Sequence, residues 1–380
     1  MIPPKTSWYR QALGTAHKAY VRVEVWRDVA LLASTAPVYG YAPREFQVVD
    51  GSVRCALSSR VTRTMTCTVP EEFYPLLETD FLAPYGNHIH AYRGIEYGDG
   101  TVDEFPIFKG PIRSISPNGD GRATLRAEDL AGLVVGASFP NPQVAQVGDL
   151  VTDEFERLVL DAVPTAEFGT HTTLADLVPP LNYDYDRGAA LDQLAKASSC
   201  LWYALADGRF VFRRVPWTMS SPPLTVLSSG AGGTLLKAYP TRDAAELYNV
   251  VTVTGERADG SLSLSWTARD DDPDSVTYYG GPYRVRARQV KLSTATSSSQ
   301  VKRAAETFLR ASLARTESWQ AQAVADASLE LGDTVGLSYR GREGVIQVVV
   351  GIDMPLLPTG NMALSMRGQV APLTDVEEEL

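Results

Sequence analysis

Alternation with a period of two is the feature that most constrains this chain. From Tyr20 to Trp26, Val21, Val23 and Val25 fall on one face and Arg22 and Glu24 on the other, which is the pattern of a half-buried strand. The rhythm returns further on: Val61, Met65, Cys67 and Val69 share a face with Arg63, while Thr62, Thr64, Thr66 and Thr68 line the opposite one. A row of threonines suits a solvated sheet surface. Asp50-Gly51, Asp99-Gly100 and Asn118-Gly119 are pairs that tolerate the positive φ of tight hairpin turns. Residues 18–133 are therefore expected to form one antiparallel domain, a barrel or sandwich, after an arm at 1–17.

The texture then changes. Between Asp153 and Val163, Phe155, Leu158, Val159 and Ala162 recur at helical spacing, with acidic residues in the first turn and Pro164 as a stop. A second helix is expected from Arg187 to about Ser199, and Leu201–Ala206 and Phe210–Val215 flank Asp207-Gly208 as a hairpin. Residues 134–235 thus read as an α+β insertion, with the Ser/Pro/Gly-rich stretch Ser220–Gly233 as its exit linker. Residues 236–372 return to strands, at Val250–Thr254, at Leu262, Leu264 and Trp266 beyond an Asp259-Gly260 turn, at Trp319, and at Thr334–Tyr339, Val345–Ile352 and Met362–Met366. One amphipathic helix interrupts them, with Val301, Ala304, Ala305, Phe308, Leu309 and Ser312 on one face. Its Val301, Ala305, Phe308 and Leu309 are expected to pack inside the second β-domain, with Phe308 as a core anchor. The last residues, 373–380, are acidic and expected to fray.

At 380 residues the chain exceeds what one core usually holds, so two or three domains are expected. A net charge of -10 argues against a surface that grips duplex phosphates. No apolar run approaches the roughly 20 residues that span a bilayer, so no membrane insertion is expected. Met1–Ala12 carries Lys5 and Arg10 without a following apolar stretch, so no secretory signal is expected and assembly is placed in a cytoplasm. Cys55, Cys67 and Cys200 lack metal-type spacing and read as buried thiols.

Chemistry-bearing clusters are few. His88 and His90 would point to one side of a strand, but His17 and His171 are distant in sequence and zinc needs a third or fourth ligand. Asp270, Asp271, Asp272 and Asp274 are the densest carboxylates; the glycine and terminal glutamate of a calcium loop are missing and Pro273 stiffens the run, so a solvated turn is expected. Glu71 with Glu72, and Glu154 with Glu156, could be glycosidase pairs, yet carboxylates this close in sequence are more often surface charges. No serine stands in a nucleophile elbow, and Gly230, Gly232 and Gly233 lie in the linker without a phosphate-loop context. No catalytic, cofactor-binding or metal residue is assigned, no cofactor is expected, and the chain is read as not an enzyme.

Several fragments, taken in order, resemble a family of minor tail proteins from phages of actinobacteria. They begin with Tyr20-Val-Arg-Val-Glu-Val-Trp-Arg-Asp28, Asp50-Gly-Ser-Val53 and Arg63-Thr-Met-Thr-Cys-Thr-Val-Pro70. Leu82-Ala-Pro-Tyr-Gly-Asn87, Tyr92-Arg-Gly-Ile95, Gly98-Asp-Gly-Thr101 and Ala127-Glu-Asp-Leu130 follow, the last resembling that family's strand-to-helix corner. Tyr248-Asn-Val-Val251, Asp271-Asp-Pro273, Gly280-Gly-Pro-Tyr283 and Leu331-Gly-Asp-Thr-Val335 continue the pattern in the second half. The family is similar in architecture to hub proteins of phage baseplates and contractile injection machines.

That resemblance implies a mainly β chain with two tube-like antiparallel β-barrel domains flanking a small α+β domain. It implies a structural baseplate or tail-tip hub in the virion. A homotrimer would set six barrels in a ring, joining a six-fold tail tube to a three-fold tip. Distal tail or tail tube proteins would sit above, tip, spike or fibre proteins below, and tape-measure protein and DNA would pass through the channel. Two other readings stay open: a distal-tail ring or receptor-binding module, for which Trp8, Trp202, Trp217 and Tyr278-Tyr279 are candidate contacts, and a cell-wall hydrolase.

Overall fold

The computed structural model describes residues 8–27, 44–171, 176–215, 223–256, 263–292 and 295–368. The Asp259-Gly260 turn, Leu262, Trp217 and the acidic end at 373–380 lie outside them. The architecture is mainly β, as the alternation requires.

The first stretch opens with a short helix α1 (Tyr9–Leu13) and continues through strands β1 (Lys18–Arg27), β2 (Arg44–Glu45), β3 (Asp50–Ala56), β4 (Arg63–Pro70), β5 (Asn87–Glu96), β6 (Val102–Pro117) and β7 (Arg122–Glu128). Helix α2 (Ala131–Gly136) follows. The expected faces are present: Val23 and Val25 of β1 are buried, as are Met65, Cys67 and Val69 of β4, while Thr64 and Thr66 are exposed. Strand β6 pairs with β5 through Val102–Pro111 and with β7 through Ile112–Pro117, so its two halves have different neighbours. Near that changeover Gly110 is required by close approach: a Cβ there would stand 1.9 Å from the carbonyl oxygen of Glu128. The N-terminal arm is not separate from this unit, because Tyr9 is fully buried with its ring 4.7 Å from that of Phe105 on β6, and its hydroxyl also accepts a hydrogen bond from Ala327 N, far along the chain, at 3.1 Å.

One turn expectation is corrected. Asp50-Gly51 begins β3, and the glycine serves the sheet: a Cβ at Gly51 would meet Thr66 O at 2.6 Å on the neighbouring strand. Asp99-Gly100 and Asn118-Gly119 are turns, with glycine φ of 81° and 77° between β5 and β6 and between β6 and β7.

The middle stretch contains β8 (Gln143–Val144), α3 (Val151–Leu160), β9 (Asn182–Tyr183), α4 (Arg187–Ala197), β10 (Cys200–Ala204) and β11 (Phe210–Arg214). It has its own core, built from Phe139, Phe155, Leu158, Leu191, Leu194 and Phe212 among others. Arg187 stitches it together, donating to Ala137 O at 2.8 Å and Leu158 O at 2.9 Å while its guanidinium lies 4.2 Å over the Phe139 ring.

The last stretch runs through β12 (Thr225–Ser228), β13 (Leu235–Thr241), β14 (Val250–Glu256), β15 (Ser263–Arg269), β16 (Ala287–Lys291), α5 (Ser298–Leu313), β17 (Ser318–Ala323), β18 (Thr334–Tyr339), β19 (Arg342–Pro355) and β20 (Met362–Gly368). Two expectations change here. Within the presumed linker, Thr225–Ser228 is a strand paired in parallel with β18, and Leu227 is 2% exposed. Helix α5, opened by a Ser297/Gln300 capping box, packs on a three-stranded sheet, β15-β14-β16, formed by this same stretch, but Phe308 is not the anchor of that contact. Its buried contacts are Val301, Ala304, Ala305 and Leu309; Phe308 is only half-buried and lies at the margin.

Strands from the first and last stretches belong to a single thirteen-stranded sheet. The seam is the antiparallel pair β3/β19, with Val53 opposite Met354 and Cys55 opposite Ile352. One apolar core crosses that seam, running from Val23, Met65 and Phe108 to Trp319, Val349 and Leu364.

Candidate functional site

The seam has two sides of opposite character. Outward, the threonine row of β4 continues across the sheet: Thr64, Thr66 and Thr68 line a shallow cleft of about 580 Å³ together with Ser52, Arg54, Asp353, Asn361 and Ala363. Its arginine is paired, Arg54 Nε lying 2.9 Å from Asp353 Oδ2, and Asp50 adds a second carboxylate. The result is a concave surface rich in hydroxyls with a slight excess of negative charge. It offers hydrogen bonding without a strong field.

Inward, the same strand places Arg63 among apolar residues. The guanidinium is compensated by an ion pair with Glu330 and by a 3.0 Å hydrogen bond to Ala204 O. Glu330 in turn accepts from Ala206 N at 3.2 Å, so β4, the β10/β11 hairpin and the connection from β17 to β18 meet at one point. Asp129, at the corner between β7 and α2, accepts from Arg63 N at 2.7 Å, Thr62 Oγ1 at 2.9 Å and Ala131 N at 3.0 Å. Burial pushes its carboxyl up to about 6, against the pull of the hydrogen bonds and of Arg63. Thr62, expected on the solvated face, is buried by this contact. Perturbed acids often mark catalysis, but one enclosed by its own fold and engaged by two backbone donors and the Thr62 hydroxyl acts on structure.

A second enclosed cation lies on β5. Arg93 donates to four carbonyl oxygens, those of Pro355 and Leu357 at 2.7 and 2.8 Å, and those of Pro358 and Gly360 at 3.1 and 3.2 Å. It thereby closes the β19–β20 connection against the first half of the sheet. Burial lowers its guanidinium to about 10.

The residues singled out from the sequence do not converge on an active site. His88 and His90 lie two apart on β5; His90 stacks on Trp26 at 5.0 Å, and burial followed by the charge of Lys109 holds its imidazole down at about 3. Among the described residues no group of three or more His, Cys, Asp or Glu is placed to hold a metal ion. The Asp270 run is corrected in part: Asp272 and Asp274 are exposed, but Asp270 is 3% exposed and accepts from Ser275 Oγ at 2.6 Å and Thr277 Oγ1 at 2.5 Å. It organises the loop between β15 and β16. Glu154 is buried and paired with Arg157, Glu156 contacts His171, and Glu71 and Glu72 are exposed. The three thiols are buried and pushed up to about 12.

The candidate aromatic contacts are likewise dispersed. Trp202 is in the middle core and donates to Asp192 Oδ1 at 3.0 Å, Trp8 is 66% exposed on the arm, and Tyr278 and Tyr279 pack edge to face in the β15–β16 loop.

No protein-family model matches the sequence, and no curated protein matches it. Solved structures do match. The tail protein from Neisseria meningitidis superposes with a TM-score of 0.63 at 14% identity, over 93% of this chain and 99% of that one. A 43 kDa prophage tail protein from Shewanella oneidensis gives 0.59 at 12% identity, over 92% and 98%. A prophage tail protein from Listeria monocytogenes gives 0.57 at 10% identity, over 91% and 94%. Likeness at this identity is one of fold.

Proposed function

We propose that this chain is a structural subunit of a phage tail, of the baseplate or tail-tip hub type, and not an enzyme. The observation that carries the reading is the mutual coverage with the Neisseria meningitidis tail protein: each chain is accounted for almost end to end by the other. The interior supports it. The titratable groups with large shifts are enclosed and committed to the fold, and the outer cleft lined by threonines has no poised acid and base.

In this reading the parts at 18–133 and 236–372 act as two tube-like units flanking the α+β insertion at 134–235. Three copies form a ring that joins a six-fold tail tube to a three-fold tip, within the minor tail protein family of actinobacterial phages that the sequence resembles. Distal tail or tube proteins cover it above, tip, spike or fibre proteins lie below, and tape-measure protein and then DNA pass along the axis. The net charge of -10 suits a channel from which DNA must leave without sticking.

Imaging of tail tips, with three-fold symmetry imposed and again with none, tests the proposal. Three copies around an axial channel are expected. Six equivalent copies, or one copy away from the axis, replace it with the distal-ring or receptor-binding reading, and clearing of cell wall by the purified chain in a zymogram replaces it with a hydrolase.

A further inference from the structure

We propose that the exposed Leu76-Leu77 tip of the β4–β5 connection docks on the strip Arg284-Val285-Arg286-Ala287-Arg288 of a second copy of this chain. The contact deepens the ring proposed above and rests on that reading. Leu76 is 87% and Leu77 66% exposed, yet the tip that carries them is built and not loose. Asp80 Oδ2 accepts from Leu76 N at 2.8 Å and from Leu77 N at 2.9 Å. Phe73 and Phe81 of the same connection meet edge to face at 5.8 Å, and Asn87 Nδ2 donates to Asp80 O at 3.0 Å and Ala83 O at 2.9 Å. Two leucines held outward on a braced loop form a pre-organised apolar tip, the kind of feature that marks contact with another protein.

Charge specifies the occupant. Glu71, Glu72 and Glu78 flank the tip in sequence, all three exposed and none with a cation partner among the described residues. The strip has the opposite character. Arg284, Arg286 and Arg288 are exposed, none has a carboxylate partner among the described residues, and Val285 between the first two is 59% exposed. Arg286 reaches only Ala244 O at 2.6 Å and the Tyr283 side chain, and Arg288 lies 5.7 Å from the centre of the Tyr248 ring. The carboxylates of the preceding loop are turned on that loop, Asp270 accepting from Ser275 and Thr277 and Asp272 from Asp274 N at 2.9 Å. An apolar tip with three unmatched carboxylates and an apolar residue among three unmatched cations fit each other when two copies meet head to tail.

The backbone of the strip is fixed as well. Arg284 stands at φ 62°, a region that arginine rarely adopts. Asn249, fully buried, holds it there: its Nδ2 donates to Arg284 O at 2.8 Å, and its Oδ1 accepts from Arg286 N at 2.7 Å. Glycine would take that conformation without strain, so an arginine there points to a use for the side chain. The two patches belong to different parts of the fold, Phe73 and Phe81 of the first packing on the core of the large sheet and Tyr283 of the second on that of β15-β14-β16. Two leucines and a valine cover far less than the ~800 Å² per partner of a stable pair, so the contact is weak between free copies and gains where a ring holds neighbours side by side.

Cross-linking of the full chain tests this. A Leu76→Cys chain and a Val285→Cys chain are mixed at millimolar concentration and treated with a short bismaleimide, to which the buried native thiols are closed. The mixture is expected to give about tenfold more linked dimer than either variant alone. Arg284→Glu/Arg288→Glu on the Val285→Cys chain should abolish that gain, and Glu71→Arg/Glu78→Arg on its Leu76→Cys partner should restore it. A mixture that links no better than the single variants, or equally well after the arginines are reversed, overturns the inference, as does a Leu76→Cys chain that links to itself more readily than to Val285→Cys. Duplex DNA bound by the wild type and lost in Arg284→Glu/Arg288→Glu gives the strip to a phosphate backbone instead. Three copies imaged around the tail axis, with no such cross-link, leave the hub reading standing and sink this contact alone.

Discussion

Arg63 on β4 and Glu330 on the connection from β17 to β18 form an ion pair whose side chains are 2% and 4% exposed, although 267 positions separate them in the chain. Enclosed charges cost several kcal/mol each to desolvate, and the pair is tolerable because each partner also bonds to backbone of the β10/β11 hairpin or its turn. The pair therefore ties the three stretches of the chain to one another.

Removing one partner leaves a buried charge without compensation. Glu330→Ala is expected to lower stability by about 3–5 kcal/mol in denaturant titrations, while an apolar replacement of both residues recovers much of the loss. A cost below about 1 kcal/mol for the single change contradicts the enclosed pair.

Asp129 makes stability depend on pH. Its folded carboxyl, raised to about 6 from an ordinary 3.8, holds a proton that the unfolded chain releases earlier. The resulting stabilisation is complete below the unfolded value and is lost as pH rises through the folded one, by a total on the order of 3 kcal/mol. The stability of the wild type relative to Asp129→Asn should fall by that order between about pH 3.5 and pH 7. A flat difference means that the carboxyl titrates normally.

Arg93→Met strands four carbonyl oxygens of the β19–β20 connection and is expected to cost about 2–3 kcal/mol. Arg93→Lys recovers only part of this, because one ammonium cannot span the four acceptors. Faster amide exchange confined to residues 355–361 would locate the effect.

Leu309→Ala on α5 removes a fully buried side chain from the β14/β15/β16 core and is expected to cost about 2–5 kcal/mol. Phe308→Ala, half-buried at the margin, costs less. The reverse ranking in thermal melts places the helix on a different face.

No metal supports the fold in this reading, so melting temperature should be the same with and without chelator. A drop of several degrees points to a site made by His88 and His90 or by the Asp270 run.

Local order was legible in the sequence because it depends on neighbours a few positions away. Alternation located β1, β4 and β14, helical spacing located α3, α4 and α5, and Asp207-Gly208 located the β10/β11 turn. The apolar side of β4 and the hydroxyl side that lines the outer cleft both follow from that period. Tertiary structure decided what pairing distant segments decides. Thr225–Ser228 is a strand because β18 lies beside it, and Gly51 is a close-approach glycine because β4 passes within reach of its missing Cβ. Arg63 can occupy an apolar face only because Glu330 arrives from far along the chain, and β3 meets β19 only once both halves are folded. A period reports which way a side chain points; which strand, carboxylate or carbonyl it meets depends on contacts across the whole chain, and those enter no local pattern.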